Sequence, residues 1–244
     1  MKILDLKGQE TSEEISVVIP RHPFQLRAEL SVPDAATGLV IFAHGSGSSR
    51  HSPRNQAVAR HLQQCGVGTL LFDLLTEAEE EEDHYTGHLR FDIPLLAERL
   101  VAATEWVEEI TRDLPLGYFG ASTGAAAALM AAAKLGEQIK AVVSRGGRPD
   151  LAGEFLPQVQ APTLLIVGGN DAAVAEMNKQ ARKELRCQSS LSIVPGASHL
   201  FEEPGTLEEV AWLASEFFLK CFPAKDTPAE RREKPVARAA RSRT

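Results

Sequence analysis

The chain has 244 residues, 43% of them apolar and 24% charged, with a formal net charge of −7. That length suits one α/β domain around one core, and the composition is that of a globular protein, too polar for a membrane protein. The negative charge argues against a nucleic-acid partner. No apolar run approaches the length of a spanning helix, and the opening MKILDLKGQETSEE lacks the apolar core of a signal peptide. A cytoplasmic protein with no membrane association is therefore expected.

In chain order, ISVVIP (15–20) and LRAELSVP (26–33) are β-rich and joined by RHPFQ, which predicts an antiparallel pair. The pattern then changes to continuous apolar runs: LVIFA (39–43), TLLF (69–72), GYF (117–119), AVVS (141–144), TLLIV (163–167) and LSIV (191–194). Such runs fit strands buried on both faces, separated by segments long enough for crossover helices. Leu96, Leu100, Ala103, Val107 and Ile110 fall at helical steps and predict one buried helix face. Between these elements, Glu77 to Asp83 (EAEEEED) reads as a solvated acidic loop.

Thr206 and Glu209 form a capping-box pattern ahead of the last helix. The expectation is a mostly parallel sheet of about eight strands with helices on both faces, preceded by a hairpin. Residues 1–222 form this single domain. The basic, proline-bearing segment 223–244, AKDTPAERREKPVARAARSRT after Pro223, has too little apolar surface to fold and is expected to be a disordered tail. Cys65, Cys187 and Cys221, odd in number and widely spaced, suggest buried structural thiols and neither disulfides nor a metal site.

Chemistry concentrates around one serine. Gly120, Ala121, Ser122, Thr123 and Gly124 match GxSxG, in which a strained strand-to-helix turn points a serine oxygen into the site. The pentapeptide alone is a weak signal and fits a simple glycine turn as well; a strand before it and an alanine-rich helix after it, Ala125 to Leu135 with Gly136 as a stop, make the nucleophile reading the better one.

A serine needs a base. Of the seven histidines, His22, His51, His61, His84 and His88 follow no parallel strand clearly, whereas His199 sits in VPGASHLFEEPG after the last one. The orienting carboxylate is expected from Asp171, in the turn of LLIVGGNDAAV, where it also suits the N-cap of the helix Ala172 to Leu185. Asp150, in RGGRPD, is the competitor. The oxyanion donors are expected to be the amides of Thr123 and, in HGSGSS, of Ser46. His44 is expected to brace that loop with its ring. Arg145 and Arg148 could each meet a substrate carboxylate, though a link to a nearby acid such as Asp150 is the favoured role.

Ser122, Asp171 and His199 in that order, with His44, Gly45, Ser46 and Gly47 after an earlier strand, resemble the α/β-hydrolase superfamily over about residues 15 to 220. SRGGRPDL, VGGND and the absence of a long insertion look most like its small dienelactone hydrolase-related group. The resemblance implies the α/β-hydrolase fold without a substantial lid, and hydrolysis of an ester, thioester or lactone of a small-molecule substrate without cofactor or metal. Dienelactone hydrolase itself carries a cysteine nucleophile, so its substrate does not transfer to a chain with Ser122.

Two other readings compete. A dinucleotide oxidoreductase fits poorly, because GSGSSR lacks the third glycine even though Asp73 ends the next strand. A catalytically silent binding protein on the same fold is the stronger alternative.

Overall fold

The computed structural model describes residues 15–21, 23–111 and 114–222; the segment 223–244 expected to be a tail lies outside them. Eight strands form one sheet in the order β1-β2-β4-β3-β5-β6-β7-β8. They are β1 (Ile15–Arg21), β2 (Phe24–Ser31), β3 (Leu39–Ala43), β4 (Gly68–Phe72), β5 (Leu116–Ala121), β6 (Ile139–Arg145), β7 (Thr163–Gly168) and β8 (Ser189–Val194). β1 pairs antiparallel with β2, and β2 with β4. All later pairings are parallel. The central strands β3, β4, β5 and β7 are buried at every position, which is why they read as unbroken apolar runs with no alternation.

Among the described residues six α-helices cover the faces: α1 (Pro53–Gln64), α2 (Glu77–Thr86), α3 (Ile93–Thr111), α4 (Thr123–Leu135), α5 (Ala172–Glu184) and α6 (Thr206–Cys221). One face buries Leu96, Leu100 and Val107 of α3 with the alanines of α4 and Ala181 of α5. The other buries Val58 and Leu62 of α1 with Val210, Ala214 and Phe218 of α6. Helix α4 has ten consecutive buried positions from Thr123 to Ala132, seven of them alanine or glycine, which lets it pack closely against the sheet's centre. Beneath it the Tyr118 hydroxyl, fully buried, meets Thr104 Oγ1 of α3 at 2.6 Å.

Several local expectations are corrected. The acidic run is no loop: it is α2, started by a reciprocal capping box in which Thr76 Oγ1 accepts from the Glu79 amide and Glu79 Oε2 accepts from the Thr76 amide. The expected box at Thr206 and Glu209 is absent, because Thr206 lies inside α6 with its hydroxyl on the Glu203 carbonyl, and Gly205, at φ 83°, starts the helix. The apolar stripe of α3 ends a turn early, with Ile110 exposed. The three cysteines are free, and each is only partly buried; burial still pushes the Cys187 and Cys221 thiols up.

Candidate active site

Parallel strands point their carboxyl ends to one rim, and the loops there carry the expected chemistry. Ser122 joins β5 to α4 with φ 51° and ψ −119°, one of two described non-glycine residues with positive φ. The strain persists because the surroundings fix it. The Ser122 amide donates to the Arg145 carbonyl at 3.2 Å, and its own carbonyl accepts from the Arg148 amide at 3.1 Å. Glycine is required on both sides: a side-chain carbon at Gly120 would lie 2.5 Å from Ala125 Cα, and one at Gly124 2.2 Å from the Ala43 carbonyl oxygen.

His199 and Asp171 meet at the same rim. His199 Nδ1 lies 2.7 Å from Asp171 Oδ2, with the carboxylate largely buried and the imidazole partly open. The loop carrying His199 rests on Gly146, where an added carbon would sit 3.2 Å from the His199 carbonyl oxygen and 3.6 Å from its Cε1. Gly146 directly follows Arg145, whose carbonyl holds the Ser122 amide, so the elbow and the imidazole flank one strand end. Gly168 permits a still closer approach, with its absent side chain facing the Ala197 and Ser198 carbonyls at 2.4 and 2.5 Å. Asp171 occupies the N-cap position of α5, yet its side chain caps nothing; the expected double role reduces to the bond with His199.

The other carboxylate expected as a competitor is engaged elsewhere. Asp150 forms a forked pair with Arg148, at 2.9 Å to Nε and 2.7 Å to Nη2. The favoured structural role of Arg148 therefore holds. Arg145 instead turns into the protein toward α1, donating to Asn55 Oδ1 at 3.1 Å beneath the Phe201 ring. It is 6% exposed, and no carboxylate among the described residues pairs with it. Burial first, and then the neighbouring Arg54, pull its pKa down to about 10. Arg145 is thus buried against Asn55, and Arg148 is engaged by Asp150 with its side chain about a third exposed.

On the opposite side of Ser122, the loop after β3 packs against the start of α4. The Ser46 amide donates to Thr123 Oγ1 at 2.9 Å, so one expected oxyanion donor rests on the side chain of the residue that carries the other. His44 is 7% exposed. Its Nε2 accepts from the Leu74 amide at 3.1 Å, which puts the ring proton on Nδ1, 3.0 Å from the Gly45 carbonyl. Burial holds its pKa below the ordinary value, with the Gly45 carbonyl and Asp73 pulling the other way. It is a brace, as expected. Farther along this loop, Arg50 is tied to Asp73 beyond β4 by its backbone amide and its guanidinium.

Beside Thr123 and this loop opens a cavity of about 430 Å³, within the range of small-molecule sites. Its far wall is α2 and the turn after it, contributing Glu80, Asp83, His84 and Arg90. Asp83 is 3% exposed; it accepts from the Leu89 and Arg90 amides and pairs with Arg90 Nε. Burial opposes its ionisation, but these donors outweigh it and hold its pKa low. Sequence reasoning missed this wall. The signal that could have found it is the T-x-x-E pattern of Thr76 and Glu79, which marks a helix start.

The chain matches the family described as "Alpha/beta hydrolase domain" over residues 36–211. It belongs to that family. This alpha/beta hydrolase is 57% identical to a dienelactone hydrolase from Anabaena variabilis, covering 87% of this chain and 99% of that one with a TM-score of 0.85. Est1E from Butyrivibrio proteoclasticus, 21% identical over 84% of this chain and 98% of that one at TM-score 0.70, shares the fold. So does a lidless serine hydrolase from Xanthomonas campestris, 22% identical over 88% and 98% at TM-score 0.70. A Mycobacterium tuberculosis protein, whose name proposes a phosphoribosyl transferase, is 54% identical over 209 residues. That stretch is 85% of the alpha/beta hydrolase and only 46% of the mycobacterial protein, so the chain spans about half the length of that relative. Among the described residues no lid domain interrupts the sheet, and no helix is long and apolar enough to cross a membrane.

Proposed function

We propose that the protein is a cytoplasmic serine hydrolase that cleaves a carboxylic ester, thioester or lactone of a small substrate, with Ser122 as nucleophile, His199 as base and Asp171 as its orienting acid. The observation that carries the reading is the 2.7 Å contact between His199 and Asp171 at the strand end that also holds the strained Ser122. With Nδ1 committed to the carboxylate, Nε2 is the nitrogen left for the serine hydroxyl.

Nε2 takes the Ser122 proton as Oγ attacks the acyl carbon, and the carbonyl π pair moves to oxygen. The amides of Thr123 and Ser46 hold that oxyanion, the Ser46 amide exchanging the Thr123 hydroxyl for it. The intermediate collapses to an acyl-enzyme, and the alcohol or thiol leaves with the proton from His199. Water, deprotonated by Nε2, then attacks the acyl carbon; the acid departs and Ser122 recovers its proton. No cofactor enters these steps.

The phosphoribosyl transferase activity in the mycobacterial relative's name is not carried over, because this chain matches less than half of that protein. The test is labelling with a fluorophosphonate probe beside a panel of chromogenic esters, thioesters and lactones. Wild-type protein is expected to label and turn over, and Ser122→Ala to lose labelling and at least roughly 10³-fold in kcat. An unlabelled wild-type serine points instead to a silent binding protein on this fold.

A further inference from the structure

The cavity beside Thr123 has a charge arrangement that the proposed mechanism does not use. Two guanidiniums stand in or behind it. Arg90 spends Nε on the Asp83 carboxylate and Nη2 on the Asp83 carbonyl at 2.8 Å. Its remaining Nη1 reaches toward Gly47, where an added carbon would lie 3.8 Å away. Arg50 is paired with Asp73 and approaches Glu29 at 3.5 Å. Both cations already face carboxylates.

Glu80 has no such partner. It lies one turn before Asp83 on the same face of α2 and lines the cavity; its amide donates to the Thr76 carbonyl, but its carboxylate forms no hydrogen bond or ion pair with a described residue. The charged groups facing it are Asp73 and Asp83 on one side of the account and Arg50 and Arg90 on the other, with His84 also on the wall. These neighbours cancel in pairs, leaving the charge of Glu80 itself. Glu80 is exposed while lining the cavity; desolvation first, and then Asp73, raise its pKa, and a cation brought beside it would favour its ionised form. A second carboxylate brought to Arg90 would find that guanidinium already neutralised and Glu80 repelling it.

We propose that Glu80 selects a substrate carrying a positively charged group, a primary or quaternary ammonium, in the part that enters this cavity. The inference rests on the hydrolase reading above, since the cavity borders the amides assigned to the oxyanion. It makes the cavity a cation-accepting pocket even though Arg90 stands in its wall.

Two matched series of esters test it, one carrying the variable group on the acyl chain and one on the alcohol. In each, the group is a terminal methyl, carboxylate or trimethylammonium. In at least one series the trimethylammonium ester should show a KM about fivefold below that of the neutral ester, as expected of a partly exposed ion pair, and the carboxylate ester the highest KM. Glu80→Gln should bring the cationic and neutral values together. Equal KM values in both series, a preference for the carboxylate ester, or a cationic preference that survives Glu80→Gln overturns the proposal.

Calorimetric binding of the trimethylammonium ester to Ser122→Ala protein, with and without Glu80→Gln, separates the two claims. Binding weakened by Glu80→Gln, where the wild-type protein with Ser122 intact turns over no ester, keeps the pocket and removes the hydrolase. Turnover dependent on Ser122 with no charge preference does the reverse.

Discussion

The two sides of Ser122 are held in place by different means. On the oxyanion side the loop of residues 44–49 is pinned by hydrogen bonds to buried or half-buried groups: His44 to the Leu74 amide, the Ser46 amide to Thr123, Arg50 to Asp73. On the base side, the loop carrying His199 is held by close backbone approach, with Gly146 and Gly168 lying under it and one carboxylate, Asp171, fixing the ring. A loop pinned by hydrogen bonds can lose one pin and keep its shape. A loop seated on glycines depends on space, and its other polar ties, the Ser198 amide to Glu203 and the Asn170 amide to the Ala197 carbonyl, hold its backbone and leave the imidazole itself to Asp171.

Asp171→Asn should give the largest effect. Because the carboxylate caps no helix, the protein should stay folded while kcat falls by roughly 10³-fold or more through loss of the correct ring tautomer; circular dichroism and Tm beside ester turnover would check it. Next, Gly124→Ala should cost about 3 kcal/mol, because the new methyl meets the Ala43 and His44 carbonyl oxygens, which are backbone and cannot step aside. Chemical denaturation measures this, and a loss under about 0.5 kcal/mol would mean the strand and helix separate more readily than their contact implies.

Thr123→Val is milder. It removes the acceptor of the Ser46 amide and should cost about 1 kcal/mol while leaving the oxyanion amides in place, so that stability falls further than kcat. His44 supplies a pH test. Its folded pKa lies below the unfolded value of 6.5, so the unfolded chain binds the proton first as pH falls. The brace therefore stabilises fully above pH 6.5 and progressively less below it. His44→Gln should be less stable at neutral pH and should flatten the fall in Tm between about pH 7.5 and 5.5. The smallest effect belongs to Asp150→Ala, which breaks a partly exposed pair with Arg148 and should cost under about 1 kcal/mol with turnover intact. A loss of activity comparable to that of Asp171→Asn would reverse the ranking of the two acids.

Most of this arrangement is legible in the sequence, because its physics is local. Strands buried on both faces must be apolar throughout, so β3 to β7 are visible as runs. A strained serine needs small neighbours, so Gly120 and Gly124 advertise the elbow. The turn after each parallel strand is where the proposed catalytic side chains are sought, which singles out Asp171 and His199. What the sequence hid depends on partners far along the chain. Helix α2 reads as a solvated loop because its glutamates look mutually repulsive; the fold relieves them by tying Glu79 to Arg99 of α3 at 2.5 Å and Asp83 to Arg90. Asp171 and Thr206 both carry cap-forming side chains; a tertiary contact redirects the first to His199, and a local turn directs the second to the Glu203 carbonyl three residues before it. Arg145, expected to link to a nearby acid such as Asp150, instead reaches Asn55, 90 positions earlier.

The wall made by α2 and its following turn is built unlike the rest of the rim. Around Ser122, Gly120 and Gly124 admit no replacement, so selection acting there has almost nothing to vary. The ten-residue helix closes its own start with a capping box and its end on Asp83, and its inner face lines the cavity. If that cavity takes the substrate as proposed, diversification of preference among descendants of this protein, or deliberate retuning of it in the laboratory, has that one short segment as its natural place to act.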